Sequence, residues 1–156
     1  MAYQKLQVSQ GLAVLPSDLV LIPDPAVEIL TGTADFSVAS TLTDVGTTFL
    51  SDGISNTAIL YNTTVPRAYD VTAVTDDLNL ALSPATTGGA TDTYVLYNAP
   101  TSGCVLYVGG AGDIKVKMAG GNTVTFKTVA AGSFFPINVI QVFRTGTTAT
   151  DIVALW

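Results

Sequence analysis

The sequence predicts an all-β protein: a β-sandwich or barrel-like domain that carries an inserted small β module. The chain contains 23 Thr and 18 Val, so 41 of its 156 residues are β-branched types that favour strands over helices. Charged residues make up 12% of the chain, about half the ~25% of an ordinary globular protein. Short apolar runs alternate with turns rich in Gly, Asn and Asp, and no helix of ten residues is visible. A chain with so few charges is expected to assemble.

Residues 1–30 are predicted to form an extended arm. Pro16, Pro23 and Pro25 surround the apolar run at residues 19–22. Prolines at this density exclude a helix but permit an extended or edge-strand segment. An uncovered apolar edge promotes aggregation, so we expect the arm to lie on its own core or on a neighbouring subunit.

Residues 31–98 are predicted to form an inserted small β-barrel module. The segment contains seven Asp and one basic residue, Arg67, so its net charge is −6. Residues 69–74 and 78–82 alternate between apolar and polar types around Thr75-Asp76-Asp77, a pattern typical of a β-hairpin. The strands predicted here cover residues 36–42, 47–50, 58–61, 68–74, 78–82 and 93–97.

Residues 99–156 are predicted to combine with the arm, so that residues 1–30 plus 99–156 form the sandwich-like host domain. Five strands are few for a closed fold, and strands from the arm would complete it. A glycine-rich turn at 119–122 predicts a hairpin with four polar side chains on one solvated face: Lys115, Lys117, Thr123 and Thr125. The strands predicted here cover residues 105–108, 114–118, 123–129, 138–143 and 152–155.

Charge and residue usage argue against several function classes. The net charge is −6 and the six basic residues are scattered, which opposes binding to nucleic acid or to an anionic membrane. The chain has no His, and its single Cys104 lies in an apolar run where a buried, inert thiol is expected. The glycine run at 109–112 lacks the pattern of a phosphate-binding loop. We therefore expect no enzyme activity, no cofactor and no metal site.

Two patterns allow a binding or modification role beside a structural one. Asn62-Thr63-Thr64 matches the N-glycosylation pattern, but the N-terminus shows no signal peptide, so synthesis in the cytoplasm and a strand-end turn at this position are expected. Exposed aromatic side chains are suited to binding a sugar or a partner, although core packing takes most of them. The aromatic residues concerned are Tyr3, Tyr61, Tyr94, Tyr97, Phe134 and Phe135.

Apolar segments in the arm and near the C-terminus are predicted to lie in contacts with other subunits. The chain ends in Trp156 after four apolar residues, and an indole is a favoured interface anchor. The alternative is that Trp156 packs on its own domain. The predicted interface residues are Leu19, Val20, Leu21, Ile22, Phe134, Phe135, Ile152, Val153, Leu155 and Trp156.

The C-terminal part carries the segments 104–108 (CVLYV), 119–126 (AGGNTVTF), 132–137 (GSFFPI) and 150–155 (TDIVAL). Over residues 103–156 this pattern resembles small virion proteins of tailed bacteriophages and gene transfer agents, of the head decoration, cement or spike-base type. The arm and the middle segment are also similar to parts of phage structural proteins. The resemblance implies a structural protein without enzyme activity or cofactor.

On that resemblance we expect a capsid decoration or cement protein that binds and stabilises the shell of the major capsid protein. It would be located on the capsid exterior of the virion, as a homo-oligomer with a trimer preferred. Two alternatives stay open: a spike-base or fibre-attachment protein at a vertex, and a carbohydrate-binding or adhesin module using Tyr and Asp around the loop at 83–92.

Overall fold

The computed structural model describes residues 8–99 and 102–156, and this part of the chain is all-β, as predicted. Two antiparallel sheets of six strands pack together, consistent with a β-sandwich. A short 3-10 helix covers Pro25–Val27. Residues 1–7, the beginning of the predicted arm, lie outside the described residues. The strands are β1 (Gly11–Val14), β2 (Glu28–Ala34), β3 (Thr41–Thr43), β4 (Ile59–Asn62), β5 (Arg67–Val74), β6 (Asn79–Ser83), β7 (Asp92–Tyr97), β8 (Cys104–Gly110), β9 (Gly112–Met118), β10 (Thr123–Val129), β11 (Ser133–Val142) and β12 (Thr150–Leu155).

Sheet 1 joins the two ends of the chain. Its strand order is β1-β12-β8-β11-β9-β10, so the first strand of the chain pairs with the last. The predicted hairpin of β9 and β10 is confirmed. Thr123 lies opposite Lys117 and Thr125 opposite Lys115, which places these four side chains on one face, as the sequence pattern indicated.

Sheet 2 contains β2 to β7 in the order β2-β7-β4-β5-β6-β3. Its end strands meet where Asp35, directly after β2, pairs with Thr43 of β3. The backbone N of Asp35 donates to the Thr43 carbonyl at 2.8 Å, and the N of Thr43 donates back at 3.1 Å. This bridge joins the two end strands of the sheet at one residue pair, and we call sheet 2 the barrel. The predicted β5–β6 hairpin is confirmed, and Asp76 Oδ1 accepts from the Leu78 N at 2.8 Å in its turn.

Each sheet surrounds its own hydrophobic cluster. The barrel cluster contains aromatic rings, with Phe36 6.2 Å from Tyr69 and 6.3 Å from Tyr94 between ring centroids. The cluster of sheet 1 is mainly aliphatic, and Leu106 and Val108 are fully buried in it. The strands and the clusters of the two sheets are separated near residues 30 and 98, which are the segment boundaries predicted from the sequence. Independent folding of the two parts stays a prediction.

The arm after β1 lies between the two sheets. The backbone N of Ser17 donates to the Val142 carbonyl of sheet 1 at 2.9 Å. From the barrel, the Tyr61 hydroxyl donates to the Ala13 carbonyl at 2.8 Å. Val20 lines the same cavity as Ala13, Ser17 and Tyr61, and it is 3% exposed. The arm therefore covers its own chain, one of the two arrangements expected from its prolines.

Three strand assignments in the barrel differ from the sequence pattern. The strand predicted at 36–42 is reduced to Thr41–Thr43, because Asp35 Oδ1 accepts from the Ser37 N at 2.7 Å and Ser40 has a φ of 60°. These features bend the chain. The strand predicted at 47–50 is a turn instead. Strand β2 is absent from the prediction, since it depends on pairing with β7, which is distant in sequence.

Candidate functional site

The outer face of sheet 1 is the candidate functional site. Side chains alternate between the two faces along a strand, and residues directly opposite one another share a face. One row of opposed residues crosses four strands: Ala13 of β1, Val153 of β12, Tyr107 of β8 and Phe134 of β11. The neighbouring row consists of Gly11, Leu155 and Val105. We call these seven residues the apolar face.

None of the seven residues of the apolar face is charged, and the exposed Asp151 of β12 lies at its border, beside Gly109 and Tyr107. Its two largest side chains, Tyr107 and Phe134, are 40% and 43% exposed. Ala13 is exposed, and Val153 and Leu155 are half-buried. An antiparallel sheet with one face on the core normally presents polar residues on the other face. A contiguous exposed apolar surface instead marks an interaction site, so this face is chemically suited to bind another protein.

The structure brings three of the ten predicted interface residues together on the apolar face: Phe134, Val153 and Leu155. Ile152, their neighbour in β12, points to the opposite face and is 3% exposed within the core of sheet 1. The alternation of the strand therefore divides the predicted C-terminal set into outward and inward residues.

The remaining predicted interface residues lie elsewhere in the fold. In the arm, Val20 and Ile22 are buried by the chain itself, so a neighbouring subunit would add nothing to their burial, whereas Leu19 is exposed and Leu21 half-buried. Phe135 and Trp156 pack against the cluster of sheet 1. Trp156 is half-buried, and its contact with the cluster agrees with the alternative of packing on its own domain. An interface role for all of these residues stays a prediction.

Sequence reasoning missed Tyr107, Val105 and Ala13 as members of this site. Every residue from 104 to 108 is apolar, so the run predicts a strand buried on both sides. Only the pairing of β8 with β11 and β12 shows that Val105 and Tyr107 share the outer face. Because an uninterrupted apolar run contains no period of two, the sequence carried no signal for this orientation.

The described tyrosines that were considered for sugar binding are buried in the interior of the protein. Tyr61, Tyr94 and Tyr97 are at most 5% exposed, and Tyr3 lies outside the described residues. Burial raises the pKa of Tyr61 to about 12. Burial, followed by the contact with the Asp44 carboxylate, raises the pKa of Tyr94. These side chains hold the fold together and present no ring face to a ligand.

Asn62 is a structural residue at the end of β4. Its Oδ1 accepts from the backbone N of Thr64 and of Val65, each at 2.9 Å, and its Nδ2 donates to Asp92 Oδ2 at 2.8 Å. The side chain is 0% exposed, so a glycosyltransferase has no access to the amide in the folded protein. The strand-end turn expected at this position is confirmed.

Cys104 is equally inaccessible. The thiol is 3% exposed, its Sγ lies 3.3 Å from the Val139 carbonyl oxygen, and burial raises its pKa to about 12. Since the thiolate is the nucleophile and the metal ligand, this thiol is unreactive near neutral pH. Within residues 8–99 and 102–156, no three His, Cys, Asp or Glu side chains are grouped to hold a metal ion.

Comparison of the chain with protein-family models, curated proteins and solved structures found no match. In the described part of the chain, no helix has the length and apolar character needed to cross a membrane. The surfaces of the described residues are therefore the basis for a function, and the apolar face differs from an ordinary solvated surface.

Proposed function

We propose that this protein is a virion structural protein, a capsid decoration or cement protein that binds the shell of the major capsid protein through its apolar face. The apolar face is the observation that carries the proposal. Interface cores are depleted of charged residues and enriched in aromatic ones, and the seven residues of this face include no charged side chain and two exposed aromatic ones, Tyr107 and Phe134. A decoration protein needs such a surface on one side only.

The distribution of charge supports an exterior position. The barrel segment, residues 28–97, carries eight acidic residues and one basic residue, for a net charge of −7, whereas the rest of the chain is close to neutral. An acidic unit stays soluble and repels nucleic acid. With the near-neutral sheet 1 on the shell, the barrel would be the part that faces solvent.

The attachment of the barrel is compatible with this display. The chain leaves sheet 1 before β2 and returns after β7, and the backbone N of Asn98 donates to the Val27 carbonyl at 2.9 Å. Both connections therefore lie side by side. The two covalent connections of the barrel are therefore at one end of it, and its far end would project from the shell.

Two other functions can be distinguished from this one by experiment. A spike-base or fibre-attachment protein would use the same apolar face at a vertex, and its copy number would be tens or fewer per particle instead of hundreds. A carbohydrate-binding or adhesin role would need a ligand surface other than the buried tyrosines. Specific binding of the isolated barrel to a glycan array would favour that role.

The proposal is tested with virus particles purified from a culture in which this chain is produced. We expect the protein in the particles at hundreds of copies, and we expect recombinant protein to bind particles that lack it. Replacing Tyr107 and Phe134 by Ser should weaken this binding by about tenfold or more, because truncation of aromatic interface residues costs on the order of 1–2 kcal/mol each. Val124→Ser, at a side chain 37% exposed on β10, is the matched control.

Absence of the protein from the particles would refute the virion assignment. Undiminished binding of the Tyr107→Ser, Phe134→Ser variant would refute the role of the apolar face. Circular dichroism of each variant checks that sheet 1 remains folded, since loss of fold would also abolish binding.

A further inference from the structure

We propose that copies of this chain bind one another head to tail, with the free tip of one barrel seated in the cleft between the two sheets of the next copy. The inter-sheet cleft is defined by Leu15, Leu19, Arg67 and Arg144. The barrel tip is defined by Val45, Leu50, Asp76, Asp77 and Leu78. This contact uses surfaces separate from the apolar face and does not depend on shell binding.

The inter-sheet cleft combines apolar side chains with positive charge. It has a volume of about 350 Å³, with Arg67 contributed by the barrel and Arg144 by the segment after β11. Leu15 and Leu19 of the arm are 55% and 62% exposed at its wall. Burial of these exposed leucines by a partner would lower the free energy.

Neither Arg67 nor Arg144 forms an ion pair in the part of the chain that the structure describes. The ion pair found there joins Lys127 to Asp113. The Arg67 guanidinium lies 5.4 Å from the centre of the Tyr69 ring and donates to the Thr87 hydroxyl at 3.2 Å. These contacts fix its position and leave its charge uncompensated.

Asp18 is the acidic residue in the cleft wall, and it is already engaged. Its carboxylate accepts from the Thr145 backbone N at 2.9 Å and from the Thr145 hydroxyl at 2.7 Å. These hydrogen bonds lower the pKa of Asp18, with smaller contributions from Arg144 and Lys115. The charges of Arg67, Arg144 and Asp18 sum to +1, in a chain whose net charge is −6.

The barrel tip has the complementary composition. Val45 is 84% exposed, Leu50 is 60% exposed and Leu78 is 39% exposed, and all three lie in two loops at one end of the barrel. Asp76 and Asp77 lie in the same loops. The backbone hydrogen bond of the Leu78 N to Asp76 and the contact with the Asn79 side chain lower the pKa of Asp76, so its charge persists in mildly acid solution.

The tip is held rigidly, which reduces the entropy lost on docking. The Phe49 N donates to the Asp77 carbonyl at 2.9 Å, and the Ser51 N donates to Asp77 Oδ1 at 2.7 Å. The Asp44 N donates to the Leu78 carbonyl at 2.9 Å. The two loops therefore form one surface that presents apolar and acidic groups together.

A single copy cannot make this contact with itself. Strand β5 begins at Arg67 in the cleft and ends at Val74, directly before the tip. Eight strand residues span roughly 25 Å, so the cleft and the tip lie at opposite ends of the same hairpin. A contact between two different surfaces of identical chains is heterologous, and it produces closed rings or open chains.

Sedimentation velocity of the full chain over a range of concentrations tests the proposal. We expect self-association that weakens as salt is added, since part of the attraction is electrostatic. Arg144→Glu in the cleft and Val45→Glu at the tip should each weaken association on the order of tenfold. An equimolar mixture of these two variants should form dimers, because one variant keeps an intact tip and the other an intact cleft.

The controls separate this contact from other ones. Lys117→Glu makes the same charge change outside the cleft, and Val124→Glu the same polarity change outside the tip; both should associate like the unmodified chain. The Tyr107→Ser, Phe134→Ser variant should also associate normally. A chain that remains monomeric at ~100 µM, or a mixture of the two variants that stays monomeric, would overturn the proposal.

Discussion

The hydroxyl of Tyr94 donates a hydrogen bond to Oδ2 of Asp44 at 2.8 Å inside the barrel, between side chains that are 1% and 6% exposed. The second carboxylate oxygen of Asp44 accepts from the Gly46 N at 2.8 Å. A buried carboxylate is costly unless its oxygens have such donors. The pair therefore joins β7 to the loop after β3, at the root of the barrel tip.

Tyr94→Phe is predicted to lower the free energy of unfolding by about 1–3 kcal/mol, because it leaves a carboxylate oxygen buried without its donor. Urea denaturation followed by fluorescence or circular dichroism measures this loss. Tyr107→Phe removes a hydroxyl from an exposed ring and should change stability by less than about 0.5 kcal/mol. Equal effects of the two substitutions would contradict the role assigned to the Tyr94–Asp44 pair.

Gly32→Ala is predicted to be destabilising by about 1–3 kcal/mol, although Ala is ordinarily at least as good as Gly in a strand. A Cβ at Gly32 would lie 2.6 Å from Asp44 Oδ2 and 2.8 Å from the Tyr94 ring and hydroxyl. The substitution would therefore push the buried pair apart. Gly120→Ala, where no atom lies within 4 Å of the new Cβ, is the control and should leave the midpoint of unfolding unchanged.

Asp70→Asn is predicted to stabilise the protein at neutral pH. Burial raises the pKa of Asp70 above its ordinary value of 3.8, so the charged form disfavours folding at neutral pH. As pH falls through the raised pKa, the native carboxyl takes up a proton and this penalty disappears. The difference in melting temperature between the variant and the native chain should therefore be largest near pH 7 and vanish below about pH 3.8. A difference that does not depend on pH would show that burial of the charge is not the cause.

The whole chain is predicted to lose stability in acid despite Asp70. Local hydrogen bonds lower the pKa values of four carboxyls at the surface: Asp18, Asp35, Asp76 and Asp113. A lowered pKa contributes stability above the unfolded value, and that stability is lost as pH falls through the folded value. Melting temperatures should therefore decrease from pH 6 to pH 2. A melting temperature that does not depend on pH would contradict this prediction.

Excision of the barrel is predicted to leave sheet 1 folded. Replacing residues 32–98 by a short Gly linker is feasible because the Val27 carbonyl and the Asn98 N are 2.9 Å apart. The cluster of sheet 1 contains no barrel residue, but Tyr61 and its contact with the arm are lost. Some loss of thermal stability is therefore expected, with a folded amide spectrum in NMR. A fully unfolded product would show that the two sheets share one cooperative unit.

Trp156→Ala is predicted to lower the stability of the chain and to leave particle binding by the remaining folded protein unchanged. The ring packs on the cluster of sheet 1, and the Trp156 N donates to the Gln10 carbonyl at 3.0 Å. Thermal melting and particle binding are measured on the same variant. Lost binding with unchanged melting would instead assign Trp156 to an interface, as the apolar C-terminus suggested.

The sequence alone determined the fold class and the local elements that depend on neighbouring residues. Threonine and valine content, turn chemistry and alternation predicted the β5–β6 and β9–β10 hairpins, the turn at Asn62 and the polar face with Lys115 and Lys117, all of which are confirmed. Each of these depends on interactions over a few residues, which a local pattern records. The composition break near residues 30 and 98 likewise reflects which residues share a sheet.

Only the tertiary structure decided which apolar residues face solvent. Strand β2, the bridge between Asp35 and Thr43, and the burial of Tyr94 against Asp44 all join residues that are distant in sequence. The apolar face is of the same kind, because Phe134, Tyr107 and Val153 become neighbours only through the pairing of β11, β8 and β12. A run of apolar residues predicts a buried strand, but the register of the neighbouring strands determines which side the chain covers and which side is left exposed.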